Sequence, residues 1–189
     1  VKRIAIFASG TGTNALKILE HLHGSTEMQV ALLLTNKPDA PVVSIFENRG
    51  IDIEVVDRQS FYHSEKILYD LRKKRIDFIV LAGFLWLLPY NLVNVCEKRI
   101  INIHPALLPK FGGKGMYGMK VHEAVRAANE EESGITIHYV DERYDKGAVI
   151  FQAKCKVSAK DTPQDIAHKV QKLEHEYFPK IVEKLVRQA

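Results

Sequence analysis

Ile4-Ala5-Ile6-Phe7-Ala8-Ser9-Gly10-Thr11-Gly12-Thr13-Asn14 passes from an unbroken apolar run, through a loop with two glycines, into a helical pattern. That order decides the fold. A short apolar run bounded by turn residues reads as a strand buried on both faces, and such strands belong to parallel sheets covered by helices. Val30-Ala31-Leu32-Leu33-Leu34 and Phe78-Ile79-Val80-Leu81-Ala82 repeat the pattern. Ile53-Glu54-Val55-Val56 is a shorter strand and residues 99–104 form another, with helical patterns near 14–23, 40–49, 64–75, 89–96 and 118–128. Pro41 and Pro89 stand near helix starts, where a missing amide hydrogen costs little. Strand and helix in alternation predict an α/β fold: a doubly wound, mostly parallel, Rossmann-like sheet.

After residue 132 the rhythm changes. Ile135-Thr136-Ile137-His138-Tyr139-Val140 and Val149-Ile150-Phe151-Gln152-Ala153 follow each other with only the turn-rich link 141–147 between them. This predicts a C-terminal antiparallel strand pair. Thr162 and Pro163 then open a long terminal helix with apolar residues at Ile166, Val170, Leu173, Tyr177, Ile181 and Leu185. No repeat or low-complexity segment interrupts the chain, so a single domain over 1–189 is expected.

Composition excludes several classes. Apolar content of 46% and charged content of 26% are those of an ordinary globular protein. A net charge of +4 suits anionic small molecules, but the basic residues are scattered. The only basic block, Arg72-Lys73-Lys74-Arg75, reads as a solvated helix C-terminus favoured by the helix dipole, and no nucleic acid is needed to explain it. Cys96 and Cys155 are far apart and without metal-type spacing, which argues for a reducing, cytoplasmic setting and against a disulfide framework. No signal peptide is evident and no apolar run approaches the roughly 18 residues that cross a membrane. His21 and His23, two apart on a helix, diverge, and no metal site is expected.

The glycine loop is the first candidate site. Glycines let the backbone approach an anion, and the helix that follows supplies free amide hydrogens and a partial positive charge. A phosphate is the preferred ligand. A dinucleotide fits less well, because Ala15 stands at the usual third glycine and the second strand ends in Thr35-Asn36, with no acidic residue to grip a ribose. A plain tight turn is the bland alternative.

The second candidate is Ile101-Asn102-Ile103-His104-Pro105-Ala106-Leu107-Leu108-Pro109. Strand side chains alternate faces, so Asn102 and His104 project to the same side. Pro105 cannot extend a ladder and marks the strand's end. A neutral donor beside a titratable one at that point is suited to hold a developing oxyanion and to handle a proton; the bland alternative is that both side chains serve backbone groups near a turn.

Four segments in order, SGTGTN, LAGFLWLLP (81–89), INIHPALLPKF (101–111) and HYVDERYDKGAVIFQ (138–152), resemble the glycinamide ribonucleotide formyltransferases of purine synthesis, which use 10-formyltetrahydrofolate. The resemblance covers essentially the whole chain, including Gln171-Lys172-Leu173-Glu174-His175 in the last helix. It implies that Gly12, Thr13 and Asn14 bind the ribonucleotide's phosphate, that Asn102, His104 and Asp145 are the catalytic residues, and that Leu85, Trp86, Leu87 and Leu88, with Asn102, line the folate pocket. Gln171 and Glu174 would face the ribonucleotide. The implied reaction passes the formyl group to the primary amine of glycinamide ribonucleotide, with no metal, no nucleic acid or membrane partner, and a monomer or homodimer as the working unit. Asn102 and a protonated His104 would donate to the oxyanion, and Asp145 would favour the imidazolium and organise a proton-carrying water.

Bland alternatives stand beside each assignment. Asp145-Lys146-Gly147 also suits an ordinary hairpin turn. Leu85 to Leu88 suit plain core, and Gln171 and Glu174, three apart, suit a solvated helix face. His138 is expected to sit in a sheet rather than in the chemistry. Two departures from the family pattern stand out. Many relatives carry Met-Arg where this chain has Leu85-Trp86, and the glycine-rich stretch 110–120 is longer than in shorter relatives, which suggests a mobile loop beside the site. A formyltransferase for methionyl-tRNA or an amino sugar, a deformylating hydrolase, a dehydrogenase and a non-catalytic nucleotide- or folate-binding module are the competing functions. The first two usually carry a further domain.

Overall fold

The protein, described by a computed structural model over residues 1–63 and 65–189, is built on one seven-stranded sheet. In chain order the strands are β1 (Lys2–Phe7), β2 (Met28–Thr35), β3 (Asp52–Val55), β4 (Phe78–Leu81), β5 (Ile100–His104), β6 (Glu132–Tyr139) and β7 (Val149–Lys156). Their order across the sheet is β3-β2-β1-β4-β5-β6-β7. The first five are mutually parallel, whereas β6 runs antiparallel to both β5 and β7. The chain therefore leaves β1 towards one edge, returns to β4, and crosses to the other edge. The expected doubly wound sheet and antiparallel tail are both present.

The helices among the described residues are α1 (Thr13–His21), α2 (Pro41–Glu47), α3 (Arg58–His63), α4 (Lys66–Lys73), α5 (Tyr90–Val95), α6 (Met119–Ala127) and α7 (Pro163–Gln188). The short α3 is not anticipated by periodicity, and the expected start of its neighbour at residue 64 lies outside the described residues. Alternation along β1 divides the core. Ile4, Ile6 and Ala8 face a cluster with Ile18, Phe46, Val125 and Phe178, whereas Ala5 and Phe7 face one with Phe61, Leu71 and Leu92. Both faces of β4 and of the C-terminal halves of β1 and β2 are thus dry, which is why their sequence shows no polar alternation.

The terminal helix opens on a capping box: the Thr162 hydroxyl accepts from the Asp165 amide, and the Asp165 carboxylate accepts from the Thr162 amide. Its buried residues are Ile166, Val170, Phe178, Pro179, Val182 and Val186. Leu173, Tyr177, Ile181 and Leu185, expected on the core stripe, are only partly buried. The true stripe advances four residues at a time, and its missing member is position 174, where a glutamate replaces the apolar residue the pattern requires.

Candidate active site

The strand order reverses between β1 and β4, and in open α/β sheets the crevice beyond the strand C-termini at such a point is where ligands bind. Two cavities meet there. One, of about 520 Å³, runs from Gly12, Thr13 and Asn14 past Gln171 and Glu174 to Asn102. The other, of about 300 Å³, is walled by Leu85 to Leu88, Tyr144 and Asp145. Asn102 lines both. All the site residues implied by the resemblance, His104 excepted, line one or both cavities, and His104 is buried against Asp145.

β5 ends at His104, and alternation brings Asn102 and His104 to the same carboxylate. Asp145 Oδ2 lies 3.5 Å from His104 Nδ1 and accepts the Gly113 amide at 2.9 Å. Its Oδ1 accepts from Asn102 Nδ2 at 3.4 Å and lies 3.5 Å from His138 Nε2. Asp145 reaches this position from a turn in which its own backbone is left-handed, at φ 54°. Such a conformation is uncommon outside glycine but tolerated by aspartate, and it concentrates at functional sites. A side chain at Gly147 would run into the Tyr139 carbonyl, so the turn closes only on glycine. In Asp-Lys-Gly the hairpin turn is also what aims the carboxylate at Asn102 and His104.

His138 takes the place in the sheet that the sequence reading gave it. There β6 pairs with β5 so that His138 lies directly opposite Asn102, and cross-strand partners share a face. Its Nδ1 bonds the Tyr139 carbonyl at 2.8 Å. A carbonyl only accepts, so Nδ1 carries the hydrogen and Nε2 can accept from Asn102 Nδ2 at 3.1 Å. Both Asn102 amide hydrogens thus face protein acceptors, the longer bond being the one to Asp145.

By the same reasoning His104 donates through Nε2 to the Phe111 carbonyl at 2.7 Å and turns Nδ1 towards Asp145. Phe111 is also held in a left-handed conformation, at φ 55°. Burial pushes the His104 imidazole below its usual pKa, and the Asp145 charge opposes that shift without cancelling it. Burial pushes Asp145 up, but His138, the His104 charge and the Gly113 amide together bring it below the ordinary aspartate value. A carboxylate and two imidazoles are therefore held together where water is scarce.

The wall of the smaller cavity is braced from both sides. Tyr62 donates its hydroxyl to the Leu87 carbonyl at 2.9 Å, and the Leu87 amide donates to the Tyr144 hydroxyl at 3.2 Å. Trp86 packs at 5.4 Å between ring centroids against Phe61, and the Arg58 guanidinium lies 5.2 Å above the indole. Leu88 is buried, so the core reading holds for it as well. The 110–120 stretch borders both cavities, with Gly113, Lys114 and Met116 on the smaller, Gly118 and Met119 on the larger and Tyr117 on each.

At the far end of the larger cavity, Gly12 caps α1 at φ 77°, and a Cβ there would meet Val42 Cγ2 at 2.6 Å. Asn14 Nδ2 donates to Glu174 Oε2 at 3.1 Å, while Asn14 Oδ1 is buried without a partner. Burial pushes the Glu174 carboxyl up to about 7, against the pull of Asn14. A carboxyl whose folded pKa is raised takes up a proton on folding, so stability falls as pH climbs from about 4.5 towards 7 and then levels. Glu174→Gln should flatten that fall; a thermal-melt series from pH 4.5 to 8 with an unchanged slope would show that Glu174 titrates normally.

The chain belongs to the formyl transferase family, whose model matches residues 2–182. It is 44% identical over 187 residues to the chloroplastic phosphoribosylglycinamide formyltransferase of Arabidopsis thaliana, which covers 96% of this chain. The chain spans 64% of that relative's own length. Against the phosphoribosylglycinamide formyltransferase of Bacillus subtilis, identity is 34% over 98% of this chain and 95% of the relative. The crystal structure of phosphoribosylglycinamide formyltransferase from Bacillus halodurans superposes with a TM-score of 0.87 at 39% identity, covering 98% of this chain and 95% of that one.

Proposed function

We propose that residues 1–189 act as one catalytic domain that transfers the formyl group of 10-formyltetrahydrofolate to the primary amine of glycinamide ribonucleotide. The observation that carries this reading is the meeting of two unlike cavities at Asn102, beside a buried carboxylate–imidazole cluster. The larger has a helix N-terminus at one end, suited to a phosphate, and an orphaned amide oxygen at Asn14 that a hydroxyl would satisfy. The smaller has an apolar wall, suited to a flat heterocycle.

On this reading Gly12, Thr13 and Asn14 hold the phosphate, Gln171 and Glu174 face the ribose and glycinamide, and Leu85 to Leu88 flank the pterin. The amine attacks the formyl carbon, a C–N bond forms, and the carbonyl electron pair moves to oxygen. Negative charge on that oxygen adds to that of Asp145 and favours a protonated His104, which stabilises it by a charge-assisted hydrogen bond. Asn102 supplies a donor that needs no titration once its weak bond to Asp145 is exchanged for the oxyanion. Asp145 then passes the amine proton, through a water, to the folate nitrogen, as the oxygen's electron pair re-forms the carbonyl and the bond from the formyl carbon to that nitrogen breaks. His138 holds the Asn102 amide from the neighbouring strand.

Among the described residues no helix is long and apolar enough to cross a membrane, and no group of side chains is arranged to hold a metal ion. Free Cys96 and Cys155 support a reducing compartment, the cytoplasm on this reading. A monomer or homodimer binding only small molecules is the working unit. Release of tetrahydrofolate in the presence of both substrates tests the proposal. Release that requires the ribonucleotide supports it, release without the ribonucleotide indicates a hydrolase, and folate binding without release indicates another acceptor or a binding module.

A further inference from the structure

One buried imidazole in the larger cavity has no part in the scheme above. His122 belongs to α6, whose Val121 and Val125 are buried in the core. At about 100° per residue, His122 turns from that apolar stripe towards the cavity, where it shares the lining with Ile103, Pro105 and Gly118. It is only 6% exposed, yet its Nδ1 is buried without a hydrogen-bond partner. A leucine would fill the same space with no such penalty, so a lone polar atom here calls for a partner that the protein does not supply.

Its place along the cavity narrows the choice. The phosphate loop follows β1, whereas α6 and the end of β5 lie two strands away across β4, roughly 10 Å at ordinary strand spacing. A ligand with its phosphate at Gly12 presents its other end to His122. We propose, on the basis of the function above, that His122 is a binding residue for the glycinamide end of the acceptor, taking a hydrogen bond from the primary amine. Accepting an amine hydrogen leaves the amine lone pair free to attack; donating to the amine would block it. Burial, and after it the charge of His104, keeps the His122 imidazole in the neutral form this role requires.

The test separates the two ends of the ligand. Glycinamide ribonucleotide and ribose 5-phosphate, which lacks the glycinamide, are titrated calorimetrically into the native protein, His122→Leu and His122→Asn, with thermal melts to verify folding. The expected result is about tenfold weaker binding of the ribonucleotide to His122→Leu, unchanged binding of ribose 5-phosphate, and partial recovery in His122→Asn, which keeps an acceptor. Equal losses for both ligands, or none for the ribonucleotide, would overturn the assignment. If His122→Leu fails to fold, His122→Asn decides on the same criterion. Native protein that neither binds nor formylates the ribonucleotide would sink the proposed function itself, and this assignment with it; native turnover with undiminished binding in the variants sinks the His122 assignment alone.

Discussion

His104→Ala should lower kcat by about a hundred- to a thousandfold and leave the KM for either substrate within a few fold. The imidazole ring is buried, held by the Phe111 carbonyl at 2.7 Å and facing Asp145 at 3.5 Å. It therefore contributes little to holding ground-state substrates. On the proposed function its contribution grows only as charge develops on the formyl oxygen, and an interaction made in the transition state alone appears in kcat. Steady-state kinetics with each substrate varied would decide the matter. A variant with native kcat and a raised KM would reassign His104 to binding. The small size of the ring relative to the core makes misfolding a minor concern, and a thermal melt checks it.

Asp145→Asn should cost about a hundredfold in kcat and, more diagnostically, change the pH profile. Burial holds the His104 pKa below its ordinary value, and the Asp145 charge is the chief force pulling it back up. Without that charge the His104 pKa falls further. If a protonated His104 serves the transition state, the loss of activity on the alkaline side must move to lower pH in the variant. An alkaline limb that stays in place would remove Asp145 from control of His104. Stability supplies an independent reading. Asp145 titrates below the usual aspartate value in the folded protein, so the stability it contributes is present above that value and lost as pH falls through the lowered one. The variant should lose less stability on acidification than the native protein does.

Legibility of the fold followed from local pattern. Apolar runs without alternation at β1, β2 and β4 are what burial on both faces demands, and those strands form the parallel centre of the sheet. The two-residue spacing of Asn102 and His104, with Pro105 as a stop, is enough to place both side chains on one face at the end of β5. The Gly12 loop reads directly as a helix start that an anion can approach.

What the tertiary structure decided involves partners far apart in the chain. His138 reads as a sheet residue until β6 pairs with β5 in the register that sets it opposite Asn102. Glu174 reads as one polar residue on a helix; only packing shows it on a core stripe, bonded to Asn14 across 160 residues. Tyr62 and Tyr144 close on the Leu87 peptide from two separate segments, and neither carries a local signal for it. Chain periodicity reports which face a side chain takes on its own element, because one strand or helix fixes that geometry within a few residues. Register and packing between elements depend on contacts summed over the whole domain, so the sequence by itself determined the sheet, the glycine loop and the Asn102–His104 pair, and only the folded chain brought His138, Asp145, His122 and Glu174 to them.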